Sequence, residues 1–419
     1  MKRTVRQYLL HFFFILLPVM TYGTERAWSS DLHTWTVEEI GVLRSLSIDS
    51  LPPLPKDPTN KYADNKKAAI LGNIFFTDSR FSGNLKVSCA TCHPANRNFA
   101  DNLPLAHGMG TTNRRTMPLI GVAYNTWFFW DGRKDSAWSQ ALGPFESPVE
   151  HGFTRTRCAQ IIIDHYKDDY EALFGPLPVF SKRDLPALAK PAIDEPVSLK
   201  AWITMPPDVK DAVNRIYANM GKAIAAFMRT IIPAPSRFDH YVRAIVEKDQ
   251  KSAIKILSSD EVKGLRLFIG KAQCLNCHTG PLFTNGDFHN ISIPQPADLP
   301  ADQGRADGIA KVLADEFNCL SVYSDAPRSD CGELRFIDTD TDKYAGAFKT
   351  PTLRNVAERA PYMHAGQFST LHEVLEFYKN LPPGQRSPEL GHFDLNDREM
   401  HQLESFLRTL SGPLIFASD

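Results

Sequence analysis

A five-residue pattern (cysteine, two residues, cysteine, histidine) occurs twice in this chain, at Cys89–His93 (CATCH) and Cys274–His278 (CLNCH). No other feature constrains the fold as much. Two thiols three positions apart fall on one side of a single helical turn, and the next histidine projects beside them. A zinc half-site or a redox dithiol can use this spacing, but no further CxxC exists to complete a zinc site. Two thiols so placed match the two vinyl groups of haem, and the adjacent histidine reaches the iron from the same side. The expectation is two covalent haem c groups, attached at Cys89 and Cys92 and at Cys274 and Cys277, with His93 and His278 as iron ligands.

The remaining cysteines and the N-terminus bear on compartment. Cys319 and Cys331 stand twelve apart in a loop-like stretch, where an oxidising environment favours a disulfide. Cys158 reads as a small buried hydrophobe. Lys2, Arg3 and Arg6 precede an apolar run from Tyr8 to Met20 that is short for a bilayer span. Residues 1–25 therefore read as a signal peptide cleaved between Gly23 and Ala27, with an uncleaved anchor as the alternative, and the folded part is expected in the periplasm. A net charge of -1 gives no footprint for nucleic acid or an anionic membrane.

A chain of 419 residues suggests two domains, 26–235 and 236–419. Apolar spacing predicts helices over 66–76, 133–150, 157–174, 209–231, 260–272, 370–379 and 396–410. Residues 24–65 read as a Pro-rich strap, 175–208 as a polar insertion and 279–350 as loop. Pro233 and Pro235 close the long helix and mark the boundary. The fold class is mostly α: two cytochrome c-like domains, each with one haem, joined by a long helix and irregular loops.

The segments SCATCHPANRNFAD, RRTMPLIGVAYNTWFFWDGRKDSAWSQALGPFESPVEHG and KTPTLRNVAERAPYMHAGQFSTLHEVLEFY resemble the bacterial dihaem cytochrome c peroxidase and MauG superfamily, over about residues 66–412. The resemblance implies a role for each matching position. Trp130, otherwise a core aromatic, matches the tryptophan between the haems. Glu150, otherwise a surface charge, matches the distal carboxylate that moves protons on bound peroxide. Gln140 and Pro144 match other distal positions. Tyr378 stands where peroxidases carry a methionine ligand, with Met363 as a rival. His107 matches in spacing the histidine that caps the first haem in resting peroxidases, and a free histidine is the other reading. His364 is expected to hydrogen-bond near the second haem. A calcium ion near Arg114-Arg115-Thr116 and Arg359-Ala360-Pro361 is an optional third cofactor, which the added arginines disfavour.

Tyrosine at position 378 resembles the MauG-like and methanobactin-cluster MbnH-type enzymes. These use hydrogen peroxide to reach a shared bis-ferryl state and oxidise tryptophan or tyrosine of a partner protein. In the MbnH type, the oxidation converts tryptophan to kynurenine in a copper-binding partner. Two alternatives remain. One is a peroxidase fed by small cytochrome or cupredoxin donors, and the other is a pure electron carrier.

Overall fold

The computed structural model describes residues 32–181, 183–381, 390 and 394–416; the expected signal peptide lies outside them. Helices dominate. The first half contains α1 (Val37–Leu46), α2 (Lys66–Thr77), the single turn α3 (Cys89–Cys92), α4 (Ala137–Glu146), α5 (Arg155–His165), α6 (Lys167–Phe174), α7 (Pro196–Ile203) and α8 (Pro207–Met228). The second contains α9 (Arg237–Val246), α10 (Gln250–Ile256), α11 (Ser259–Ile269), α12 (Arg305–Leu313), α13 (Gly332–Arg335), α14 (Leu371–Asn380) and α15 (Asp397–Arg408). Two short antiparallel pairs complete the set: β1 (Ile231–Pro233) with β4 (Leu414–Phe416), and β2 (Phe288–His289) with β3 (Phe348–Lys349). No helix among the described residues is long and apolar enough to cross a membrane.

The halves repeat one device. In each, the helix that leads into the CxxCH turn crosses a second helix at a glycine. A Cβ on Gly72 of α2 would lie 1.9 Å from the Ala223 carbonyl oxygen of α8. One on Gly264 of α11 would lie 1.9 Å from the Gln402 carbonyl oxygen of α15. Only a residue without a side chain permits such backbone contact. Around the first crossing, Phe75, Trp138, Phe145 and Tyr217 form one core; around the second, Phe238, Phe268, Phe283 and Phe406 form another. Burying a large apolar side chain contributes about 1.5–3 kcal/mol, so these clusters dominate the stability of each half.

Several expectations change on contact with the structure. The long helix, α8, does not join the halves. It forms the spine of the first core, with fourteen residues buried from Val213 to Met228. The helix expected over 157–174 breaks at Tyr166 (φ −134°, ψ 16°). There the ring packs on Phe75 and Phe81 and the hydroxyl donates to Asp78, a tertiary anchor that continuing the helix would forfeit. The strap contains α1, started by a Thr36–Glu39 capping box. The supposed insertion and loop contain α7 and α12.

A division at residue 235 separates helices but not packing. Trp35, Leu43 and Leu46, before the boundary, are buried in the second core. Phe317, after it, is buried in the first, and the Glu316 carboxylate accepts from Arg155 of α5. Each half thus lends a segment to the other. The Cys319–Cys331 disulfide forms as expected, and Cys158 is fully buried.

Candidate haem sites and the wall between them

Each CxxCH run folds as one tight turn whose first cysteine accepts a bond from the histidine N–H: His93 N to Cys89 O at 2.9 Å, His278 N to Cys274 O at 2.8 Å. The histidine rings share a second feature. His93 Nδ1 lies 2.9 Å from Phe99 O, and His278 Nδ1 lies 2.9 Å from Phe283 O. A carbonyl oxygen only accepts, so each Nδ1 carries the proton and each Nε2 keeps its lone pair. Burial holds His93 below its ordinary value and pushes His278 down to about 4, so both rings are neutral. A neutral imidazole oriented through its other nitrogen is the form that binds a metal. None of the four cysteines of the two motifs is in a disulfide, and burial raises the thiols of Cys89, Cys92 and Cys274 to about 12.

Each turn opens onto a cavity. The second, of about 220 Å³, is lined by Cys274, Cys277, His278, Met363 and Tyr378 among mostly apolar groups. Tyr378 is pushed well above the ordinary phenol value, first by burial and then by Cys274 and Cys277. The first cavity, of about 450 Å³, is lined by Cys92, His93, Gln140, Pro144 and Glu150. A side chamber of about 50 Å³ adds Cys89 and His151. Gln140 Oε1 is buried there without a hydrogen-bond partner. An oriented ligand nitrogen, paired thiols and a cavity fit a bound haem at each turn, with an orphaned acceptor added at the first.

Trp130, Arg115, Lys349 and His364 line both cavities and so form the wall between them. Main-chain bonds stitch it together. Trp130 Nε1 donates to Arg115 O (3.1 Å), Arg115 N to His364 O (2.8 Å) and Lys349 N to Trp130 O (2.8 Å). Behind Trp130, Asp131 is buried and held below the usual carboxylate range by Arg133 and Arg114, despite its burial. His364 stacks on Phe348 with centroids 3.7 Å apart, and burial pushes it down to about 4.

His107 is not brought into either cavity. It is exposed, and its Nδ1 lies 3.0 Å from Thr111 Oγ1. Its loop is pinned against the distal segment, with Met109 N donating to Glu150 O and Gly108 so close that a Cβ would meet that oxygen at 2.3 Å. In the segments where the resemblance allows calcium, guanidinia of Arg114, Arg115 and Arg359 are present. Among the described residues no group of three or more His, Cys, Asp or Glu could hold a metal ion. Sequence reasoning did not single out Lys349 or His151. Lys349 opens the KTPTLRN run and His151 follows Glu150 directly, but burial of a lone charge has no sequence signature.

The family model described as "Di-haem cytochrome c peroxidase" matches residues 66–247. The methylamine utilization protein MauG of Methylorubrum extorquens is 29% identical over 86% of this chain and 82% of its own. Residues 66–247 thus match the di-haem cytochrome c peroxidase family, and the similarity to MauG extends over most of the chain. The cytochrome c551 peroxidase of Pseudomonas aeruginosa is 26% identical over 86% of this chain and 84% of its own. A solved MauG-like protein associated with microbial copper homeostasis has the same fold, with TM-score 0.59 and 23% identity over 86% of this chain and 94% of its own. Like these relatives, the chain is a haem-dependent oxidoreductase, and its cofactors are two covalent haem c groups.

Proposed function

We propose that this protein is a periplasmic, hydrogen-peroxide-dependent oxidase that oxidises aromatic residues of a partner protein. The partner we favour is a copper-binding protein carrying an oxidisable tryptophan. The haem-bearing halves are two cytochrome c-like units, with Cys89, Cys92 and His93 holding one group and Cys274, Cys277, His278 and Tyr378 the other. Each haem, when bound, supplies the redox chemistry that peroxide drives.

The observation that carries this reading is the composition of the His93 cavity. It contains Glu150 and Gln140 but not His107. A cavity open opposite His93 admits a small oxidant. The Glu150 carboxylate takes a proton from one peroxide oxygen and returns it to the departing oxygen, which leaves as water. Gln140 Oε1, with no partner of its own, accepts a bond from the entering molecule. Pro144 narrows the space. Trp130, in the wall, lies on the short route from one cavity to the other. A partner protein cannot enter cavities of this size, so it donates electrons at the surface.

Met363 lines the same cavity as Tyr378 and favours the second reading, a cytochrome c peroxidase served by small cytochrome or cupredoxin donors. Low-temperature EPR of the ferric holoprotein separates the two. One high-spin and one low-spin haem, with the low-spin signal altered in Tyr378→Phe and untouched in Met363→Leu, is the expected result. Two low-spin haems, unreactive with peroxide until one electron is added, would make His107 a ligand and the protein a reductively activated peroxidase. Glu150→Gln should slow the peroxide reaction by about 10²–10⁴-fold.

A further inference from the structure

The lining of the His278 cavity holds more positive charge than the chain neutralises. Arg115, Lys349 and Arg359 are 8%, 5% and 6% exposed, and none forms an ion pair with a carboxylate among the described residues. Other strongly buried cations have an acid, as Arg354 has Asp239 and Arg155 has Glu146, except Arg305, which lines neither cavity, donates to the Asp131 and Gly132 carbonyls and stacks on Trp127 and Phe288. Asp101 and Glu358 act on Arg115 and Arg359 only through space, and the Asp101 oxygens accept from Thr116 Oγ1 and Leu103 N. Among the described residues, Arg359 donates only to the Asn355 and Thr352 carbonyls, Arg115 Nε has no partner, and burial alone acts on Lys349. All three line the His278 cavity, and no carboxylate among the described residues does. An unpaired buried charge is among the most expensive features a fold can contain. Three converging on one cavity require an anion there.

We propose that Arg115, Lys349 and Arg359 form a seat for the two propionate carboxylates of the haem attached at Cys274 and Cys277. The inference rests on that haem occupying the His278 cavity. Arginine meets a carboxylate through its planar fork and lysine through a point charge, so the trio can bind two carboxylates with one cation shared. Arg115 and Lys349 also face the His93 cavity. The seat therefore places fixed positive charge beside Trp130 and raises the potential of the neighbouring iron by favouring its less positive state.

The test uses the holoprotein with both haems attached. Arg115→Gln and Lys349→Met should each shift the ferric–ferrous equilibrium of the His278 haem toward ferric by about tenfold, 59 mV for a one-electron couple. Each should also move the propionate-bending bands in the resonance Raman spectrum. Arg115→Lys, which keeps the charge, should restore the potential, and it supplies the comparison if Arg115→Gln folds poorly. Lys222→Met is the control, because Lys222 is equally buried but paired with Asp325 and lines neither cavity. Unmoved potentials and bands in both variants, or an equal shift in Lys222→Met, would overturn the proposal. A haemochrome count of one haem per chain would instead refute the reading of the haem sites, so the two failures are distinguishable.

Discussion

Replacing Gly72 with alanine adds a single methyl group at the point where α2 crosses α8. That carbon would lie 1.9 Å from Ala223 O, 2.4 Å from Ala223 C and 2.9 Å from Ile224 N, all backbone atoms that no rotamer change can move. Ordinary contact begins near 3.4 Å, so the helices must part by about 1.5 Å, the difference between 3.4 and 1.9. A gap of even 0.5–1 Å forfeits about a quarter to a half of each dispersion contact across it, and Leu71, Phe75 and Phe76 all pack beside this crossing. The expected cost is about 3 kcal/mol, at the top of the usual range for overpacking. Gly264→Ala should behave alike at the α11–α15 crossing. Gly41, exposed on α1 with nothing within 4 Å of a Cβ, supplies the opposite sign. Alanine there should stabilise by up to about 1 kcal/mol through helix propensity. Guanidinium titrations of the holoproteins, followed by far-ultraviolet circular dichroism, measure all three. A Gly72→Ala protein within about 0.5 kcal/mol of the parent, the scatter expected of an ordinary surface change, would refute the close-crossing argument.

Three further outcomes follow from buried polar chemistry. Burial raises Asp135 to about 6, against the lowering from its bond to Cys319 N and with a lesser push from Asp315. The native state therefore binds the extra proton between the ordinary value of 3.8 and about 6, and stability falls as pH rises through that window. Asp135→Asn should remove this dependence and add up to about 3 kcal/mol at pH 8, read as the difference between melting curves at pH 4 and pH 8. Opening the Cys319–Cys331 bridge with paired serines should cost about 3 kcal/mol for a loop of this length, seen as faster amide exchange over 312–335. Arg354→Leu leaves Asp239 charged and buried and should cost about 3–5 kcal/mol, whereas Asp49→Ala breaks only a half-exposed pair with Arg243 and should cost at most about 1 kcal/mol in the same denaturation assay.

Local chemistry was legible in the sequence; cross-chain geometry was not. The CxxCH turns, the helix leading into the second of them and the proline stop after α8 depend on neighbours within a few positions, and they stand where expected. The haem pairing came from motif chemistry, and Gln140, Pro144 and Glu150 do share one cavity with His93. The break at Tyr166 was hidden because its reason, a seat between Phe75 and Phe81, lies some ninety residues earlier. The exchange of segments between halves depends on partners hundreds of positions apart, such as Trp35 with Tyr241. His107 could be matched by spacing alone, but spacing cannot show that its loop faces outward. Lys349 looked like any other charge until its surroundings were known.

The stitching of the wall has an evolutionary corollary. Trp130 is held by the carbonyl of Arg115 and the amide of Lys349, groups that any non-proline residue supplies. Side chains at 115 and 349 can therefore be exchanged by drift or selection while the indole keeps its place. Geometry and charge are inherited separately at this point. A lineage could retune its oxidising strength for a new protein target by single substitutions there, without rebuilding the scaffold that fixes the indole between the two sites.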